Sequence, residues 1–268
     1  MIKRVERAQE ARKEKKRWAA GTLCALALLL AVSAMYAGRV RSAEVTARKR
    51  ELPIYSVDRD DNKIAISFDA AWGGDKTKKI LDILDEYGVK TTFFMVDIWT
   101  QRFPDLVKEI AARGHEIGNH SATHPKMSTL SREKIRQELD VMADNAQAIT
   151  GVRPTLFRPP YGDYDNDVVL TARDAGYEVI QWSVDSLDWK NKGVQPLIDR
   201  ATRNVKSGDI VLFHNDSQYI VDALPAILKS YREQGLTVVP ISELLLPGKT
   251  TIDAQGIQHP APTTIPEV

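Results

Sequence analysis

Short apolar runs alternate with longer amphipathic stretches over residues 61–246. The apolar runs hold three to six residues and contain many β-branched and aromatic side chains, a composition that is typical of buried strands. They predict strands at residues 64–68, 92–96, 116–119, 155–157, 178–183, 210–213 and 236–239.

The stretches between these runs repeat apolar residues at the spacing of one helix face. They predict helices at residues 75–87, 104–113, 131–150, 165–175 and 221–234. A glycine directly follows several of these helices, as is common where a helix ends: Gly114, Gly151, Gly176 and Gly235. Strands that alternate with helices of this length predict an α/β fold, with a parallel sheet or barrel of about seven strands.

The N-terminal residues follow a different pattern. Residues 1–17 carry eight Lys or Arg and three Glu, and the 21 residues 18–38 carry no charge. About 20 apolar residues allow a helix to cross a bilayer, and the excess of basic residues before the segment favours a cytoplasmic N-terminus. We therefore expect a single-pass signal anchor at 18–38, with the rest of the chain outside the cytoplasm. A signal peptide cleaved near residues 32–34 is the alternative, and it delivers the chain to the same compartment.

Two further segments flank the predicted domain at 61–246. Residues 39–60 are basic and polar and are interpreted as a linker, and residues 247–268 are rich in Pro and Thr and predict a disordered tail. The single cysteine, Cys24, lies in the apolar segment, so no intramolecular disulfide is expected.

The overall charge argues against one class of partner. The chain has 37 basic and 36 acidic side chains and a formal net charge of +1. This near balance argues against a dedicated nucleic-acid binder, so we expect no nucleic-acid partner.

Polar side chains follow five of the predicted strands. Active sites of parallel α/β folds lie at the carboxyl ends of the strands, so these side chains are expected to lie close together. They are Asp69, His120, Arg158, Asp185 with Asp188, and His214. Each one alone has an ordinary interpretation as a capping or turn residue. Five in one chain indicate a site that uses acids, bases or metal ligands.

Three of the five histidines fall within residues 115–124. His120 and His124 are four residues apart, and on a helical turn this spacing would let two imidazoles bind one divalent cation. The alternative is a pair of surface histidines, which gives the same spacing by chance. His115 and His259 are interpreted as structural or solvated.

Five motifs, taken in order, carry a family resemblance: "SFDAAWG", "HSATH", "RPPYG", "DSLDW" and "LFH". Over about residues 60–245, this order resembles the polysaccharide deacetylases that share the NodB homology domain, carbohydrate esterase family four. The stretch "YSVDRDDNKIAISFDAAWG" is similar to the membrane-anchored, sporulation-associated branch in spore-forming bacteria. The resemblance implies a distorted (β/α) barrel that removes acetyl groups from N-acetylated sugars.

The resemblance also implies a role for each motif residue. His120 and His124 would bind a divalent metal, zinc in the first instance. Asp69 would act as the general base and His214 as the general acid. The supporting residues would be Arg158 beside Asp69, Asp188 beside His214, the Tyr161 amide at the oxyanion, and Trp189, Leu212 and Asp185 against the substrate.

One position departs from the family pattern. The base is usually followed by a second aspartate that acts as the third metal ligand, and this chain has Ala70 there. Asp75 in the following loop is a candidate replacement. Otherwise water completes the site, or the metal binds weakly.

Three functions therefore fit the sequence. The first is metal-dependent de-N-acetylation of an N-acetylated cell-wall glycan, with peptidoglycan as the expected substrate. The second is a catalytically weak glycan-binding module with a degenerate metal site. The third is a hydrolase of small cyclic amides, which the expected membrane anchor disfavours.

Overall fold

The structure is a computed structural model that describes residues 12, 18, 28–33 and 49–262. The chain divides into two units, Met1–Lys49 and Arg50–Val268. In the first unit, residues 28–33 are helical and exposed. Most of the predicted anchor at 18–38 lies outside the described residues. Within the described parts of the chain, no helix combines the length and the apolar character needed to cross a bilayer.

The second unit is built around a parallel sheet. The first strand, β1 (Ser56–Val57), belongs to a separate small sheet. The strands that follow it in the chain are β2 (Lys63–Ala70), β3 (Thr92–Met95), β4 (Glu116–Asn119), β5 (Leu156–Phe157), β6 (Glu178–Val179), β7 (Val184–Asp185), β8 (Ile210–His214) and β9 (Thr237–Val238). Seven of them lie in the order β6-β5-β4-β3-β2-β8-β7, and β9 pairs with the start of β2. Over residues 49–262 no ladder joins β6 to β7, so the sheet is a half-barrel. The predicted parallel α/β fold is confirmed in this form.

One predicted strand is wrong in its extent. Residues 178–183 were expected to form a single strand, but β6 ends at Val179 and β7 begins at Val184. Between them the chain leaves the sheet, and Ile180 instead forms an isolated parallel bridge with Ile54. The carbonyl of Gln181 there accepts a hydrogen bond from the Arg158 side chain.

Helices cover the sheet. They are α1 (Thr77–Glu86), α2 (Asp97–Arg102), α3 (Pro104–Ala112), α4 (Arg132–Thr150), α5 (Asn166–Asp174), α6 (Val194–Thr202), α7 (Ile220–Glu233) and α8 (Ile241–Leu244). Ser131 is the N-cap of α4, because its hydroxyl accepts from the Lys134 amide. The helices α2, α6 and α8 were not predicted. The helices α2 and α8 have six and four residues, too few turns for the apolar spacing to show, whereas α6 was missed although its nine residues equal the length of the predicted α3 and α5.

The two faces of β2 explain where the core and the site lie. Alternate side chains of a strand point to opposite faces. Ile64, Ile66 and Phe68 pack in the larger hydrophobic cluster, which includes apolar residues of α1, α3 and α7. Asp69 is offset by one residue from that series, and it lies at the carboxyl end of the strand. The apolar face thus holds the strand in place and leaves this carboxylate for the other face.

The small sheet that contains β1 shows that the predicted domain boundaries are wrong. Strands β10 (Thr250–Ile252) and β11 (Ile257–Pro260) pair with each other, and β11 pairs with β1. The prediction of a disordered tail is therefore wrong for these residues, and part of the predicted linker belongs to the fold. Gln258 is buried, and its side chain accepts from the Leu246 amide, which fastens the segment to the domain.

Candidate active site

The carboxyl ends of β2, β4, β7 and β8 open into one cleft of about 690 Å³. Of the residues singled out from the sequence, those that line it are Asp69, His120, His124, Tyr161, Asp185, Trp189, Leu212 and His214. Arg158 and Asp188 lie behind this lining and are fully or almost fully buried. The side chains expected to meet at the strand ends therefore do meet.

Asp69 is held by a buried ion pair. The Arg158 Nη1 atom donates to its Oδ1 at 2.7 Å, and its Oδ2 lies 3.5 Å from the His120 Nε2. Burial alone would raise the pKa of Asp69, but the positive charge of Arg158, with smaller contributions from His120 and His214, outweighs burial and lowers it. Asp69 is therefore an ionised carboxylate at neutral pH and a candidate proton acceptor.

Arg158 is fully buried and is held by several contacts. Besides Asp69, its guanidinium donates to the Ser67 hydroxyl at 2.8 Å and to the Gln181 carbonyl at 3.2 Å. Its Cζ also lies 4.1 Å from the centre of the Phe94 ring. A buried cation is costly unless it is paired and hydrogen-bonded; both Nη atoms meet that need, whereas Nε has no hydrogen-bond partner among the described residues. The "RPPYG" motif thus provides a rigid cation for Asp69.

The ring of His120 has one defined orientation. Its Nδ1 lies 2.7 Å from the Arg158 carbonyl oxygen, which requires a proton on Nδ1. Its Nε2 is then free of a proton and faces the cleft beside Asp69. Burial lowers the pKa of His120, so the ring is neutral at pH 7.

His124 reaches the same place by an irregular loop. The helical turn expected from the His120–His124 spacing is wrong: residues 120–126 are not helical, and Ser121 and His124 both have positive φ, 73° and 60°. The ring centres of His120 and His124 are nevertheless 5.0 Å apart. Burial lowers the pKa of His124 to about 4, so this imidazole is also neutral at pH 7.

The loop that carries the two histidines is held by α4, a contact that the motifs do not reveal. One carboxylate oxygen of Glu138 accepts from the Ala122 and Thr123 amides at 2.9 and 2.8 Å, and the other accepts from the Thr123 hydroxyl. Ser121 adds a bond from the His124 amide to its hydroxyl. These bonds hold a backbone that would otherwise be strained.

The donors present do not complete a conventional catalytic metal site. Two neutral imidazoles converge, and the buried Nδ1 of His124 has no partner among the described residues. Catalytic zinc sites usually have three protein ligands, and within the described residues no group of three or more His, Cys, Asp or Glu is placed to hold a metal. Ala70 is buried, and Asp75 is exposed and does not line the cleft. The suggestion that Asp75 replaces the missing carboxylate is therefore not supported.

His214 is the second titratable centre of the cleft. Asp188 accepts from its backbone amide at 2.7 Å and lies 2.8 Å from its Nδ1. Burial alone would lower the pKa of His214. The hydrogen bond and the charge of Asp188, together with the charge of Asp69, outweigh this effect and raise the pKa to about 8. His214 is thus protonated at pH 7, with its Nε2 left to donate a proton into the cleft.

Tyr161, one of the predicted site residues, lies at φ 60° in the turn after Arg158. The remaining walls contain residues to which the motifs gave no role: Trp72, Lys76, Trp182 and Asp216. A signal for Trp72 and Asp216 was available, since each lies within three residues of a candidate catalytic residue. His115 and His259 lie outside the cleft, as expected.

The chain also resembles known proteins over this region. The family profile described as polysaccharide deacetylase matches residues 56–180. A peptidoglycan-N-acetylglucosamine deacetylase of Bacillus cereus is 42% identical over 198 residues, which make up 71% of this chain and 92% of that protein. PdaA of Bacillus subtilis, a peptidoglycan-N-acetylmuramic acid deacetylase, is 32% identical over 195 residues, 71% of this chain and 74% of that protein.

A solved structure gives the same result. A mutant of BA3943, described as a CE4 family pseudoenzyme with restored enzymatic activity, superposes with a TM-score of 0.70 at 36% identity. The match covers 72% of this chain and 70% of that one. The resemblance inferred from the five motifs is confirmed: the chain belongs to the polysaccharide deacetylase family, hydrolases that act on carbon–nitrogen bonds other than peptide bonds.

Proposed function

We propose that the protein removes acetyl groups from an N-acetylated cell-wall glycan, with peptidoglycan as the substrate. The observation that carries the proposal is the pair of opposed titratable groups in one cleft, ionised Asp69 held by Arg158 and protonated His214 held by Asp188. Relatives named as deacetylases of peptidoglycan N-acetylglucosamine and N-acetylmuramic acid support the choice of substrate.

The two groups suit the two proton transfers of amide hydrolysis. Asp69 takes a proton from the water that attacks the acetamide carbonyl. His214 then donates a proton to the sugar nitrogen as the carbon–nitrogen bond breaks and acetate leaves. A positioned acid or base typically contributes about 10²–10⁴-fold in rate. We assign the oxyanion of the intermediate to the Tyr161 amide, and the acetyl methyl to the surface of Leu212 and Trp189.

Metal binding is a separate part of the proposal. His120 and His124 are neutral at pH 7 and would be the ligands of a divalent cation such as zinc. Without a carboxylate from the protein, we propose that this binding is weak. This feature favours a second candidate function, a glycan-binding module with little activity, and the pseudoenzyme neighbour also fits that function.

Acetate release and metal affinity test these alternatives together. The wild type should release acetate from N-acetylglucosamine oligomers, and Asp69→Asn should lower turnover by at least about 100-fold. Asp69→Asn should also lower the thermal midpoint, because buried Arg158 loses its charged partner, so turnover is compared at a temperature at which both proteins are folded. Ala70→Asp restores the carboxylate of the family pattern at a position that packs in the larger apolar cluster. If this carboxylate turns towards the two histidines, zinc binding, measured by calorimetry, should tighten by about 10–100-fold; if it stays on the apolar face, the variant should lose thermal stability and bind zinc as the wild type does. Asp75→Ala should leave zinc binding unchanged. No acetate release by the wild type, with or without zinc, would favour the binding module.

We also propose that residues 18–38 anchor the protein in the membrane, with the domain outside the cytoplasm and a role in sporulation. The uncharged segment and the basic residues before it support this location. A reporter that is active only outside the cytoplasm, fused after residue 45, should be active and sediment with membranes. An inactive fusion in the soluble fraction would contradict the location, and normal spore formation by a deletion strain would contradict the role.

A further inference from the structure

The exposed aromatic side chains of the domain are all in one place. Within residues 49–262, three aromatic residues are more than half exposed: Trp72 at 58%, Tyr161 at 63% and Trp189 at 54%. All three line the cleft, whereas the other exposed large hydrophobic residues of this region are aliphatic and line none of it. Large apolar side chains left in water around a cleft indicate a binding surface.

Trp72 is the one of these three that the family motifs leave without a role. Its loop is held firmly by Gly73, whose carbonyl accepts from the Trp99 indole at 2.9 Å and from the Asn215 side chain at 2.7 Å. The Gly73 amide donates to Asp216 at 3.3 Å. The Trp72 side chain is therefore presented outward by a fixed backbone.

Gly73 and Gly74 allow this close approach. A Cβ added at Gly73 would lie 3.0 Å from the Cβ of Asp216, and one added at Gly74 would lie 3.0 Å from the Phe103 ring. The two glycines of "AAWGG" thus pack the loop against Asp216 and Phe103, and the tryptophan that precedes them stays exposed. A binding residue that is already ordered loses little entropy when a ligand arrives.

Trp72 extends the wall of the reaction centre outward. Its ring stands edge-on to the His124 ring at 5.7 Å, and the His124 ring stands edge-on to Tyr161 at 4.5 Å. The cleft volume of about 690 Å³ falls within the roughly 300–1,000 Å³ that accommodates a drug-sized ligand. The space is therefore large enough for more than the reacting acetamide.

We propose that Trp72 stacks against a sugar ring next to the one that loses its acetyl group, and that it makes the protein prefer chains to single sugars. The apolar C–H face of a pyranose matches the flat apolar face of an indole, and Trp contributes a large contact area with few rotatable bonds. The proposal rests on the proposed function in taking an N-acetylated glycan as the ligand.

Chain-length dependence separates this role from simple support of His124. We compare Trp72→Ala, Trp72→Phe and the exposed control Val152→Ala, with the N-acetylglucosamine monomer, which has no adjacent ring, and the pentamer as probes. Trp72→Ala should lower kcat/KM for the pentamer by about 5- to 30-fold, mainly through KM, and change the monomer by less than about twofold. Trp72→Phe should keep most of the pentamer preference, and Val152→Ala should match the wild type.

Binding provides a readout that does not need turnover. In an Asp69→Asn background, calorimetry with the pentamer should show a Kd weakened by Trp72→Ala to the same extent. An equal loss for monomer and pentamer would mean that Trp72 supports the reaction centre, and the proposal would be wrong. Unchanged pentamer binding, or no binding by the parent, would overturn it as well. If the wild type binds the pentamer and does not deacetylate it, the proposed activity is wrong. The role of Trp72 is then decided by the pentamer Kd values alone.

Discussion

At the scale of single residues, Arg158 does more than neutralise one charge. Its side chain holds Asp69 and Ser67, and its carbonyl oxygen sets the orientation of His120. One residue therefore aligns the proposed base and one proposed metal ligand. The sequence placed Arg158 beside Asp69 through its motif, but the link to His120 runs through the backbone, which no motif encodes.

The pairing of Asp188 with His214 predicts a pH effect. Because Asp188 raises the pKa of His214 to about 8, Asp188→Asn should lower this pKa by about one to two units. The proton would then be lost near neutral pH, so the fall of kcat at alkaline pH should move to lower pH. NMR titration of the His214 ring measures the pKa directly.

Asp216→Asn serves as the matched control for this experiment. Asp216 also raises the pKa of His214, but its charge contributes less than those of Asp188 and Asp69, and within the described residues it makes no hydrogen bond to that ring. A smaller downward shift is therefore expected. If both variants titrate like the wild type, the assignment of Asp188 as the partner that controls protonation is wrong.

At the scale of elements, the site depends on loops that regular elements hold in place. The loop that carries His120 and His124 follows β4 and has two residues with positive φ. The Glu138 carboxylate of α4 holds it in place. The sequence pattern located β4 and α4 because their apolar spacing is regular. It missed the loop conformation because that depends on Glu138, which is distant in sequence and has no periodic signal.

Glu138 gives a prediction at this scale. Glu138→Ala removes the acceptor for three hydrogen bonds and should lower the free energy of unfolding by about 1–2 kcal/mol, since the contact is partly exposed. It should also weaken zinc binding to the two histidines, measured by calorimetry. Glu138→Gln keeps an oxygen for both amides and should restore most of both losses. Zinc binding unchanged in Glu138→Ala would show that the loop holds its shape without this side chain.

At the scale of the whole molecule, the sequence predicted the parallel sheet but not the small sheet formed by β1, β10 and β11. Strands β2 to β5 and β8 follow from apolar runs, because each is buried within the sheet. Strands β1, β10 and β11 are short and partly exposed, so they carry little apolar signal. The pairing of β1 with β11 joins residues about 200 positions apart, and local sequence patterns do not report such contacts.

His259 provides a test of this attachment. Its two ring nitrogens lie 2.9 and 3.0 Å from Asp58 and Asp253, and these carboxylates raise its pKa. A histidine whose pKa is raised by folding stabilises the fold fully below its unfolded pKa of about 6.5, and this stabilisation is lost as the pH rises through the folded pKa. The difference in thermal midpoint between wild type and His259→Ala should therefore be largest near pH 6 and smaller near pH 9. A difference that does not change with pH would contradict the role of the charged ring.

The pairing of β1 with β11 also constrains the order of folding. The segment at Ile54–Val57 bonds to residues near Val179, Gly208 and Gln258, all made long after it during synthesis. Closing so long a loop is entropically unfavourable and slow, so we expect the central strands to assemble first and this segment to dock last. Until Ile257 and its neighbours have been synthesised, β1 has an unpaired edge, and the nascent chain exposes a strand that other chains can join. Completion of the fold is thereby coupled to synthesis of the residues around Ile257.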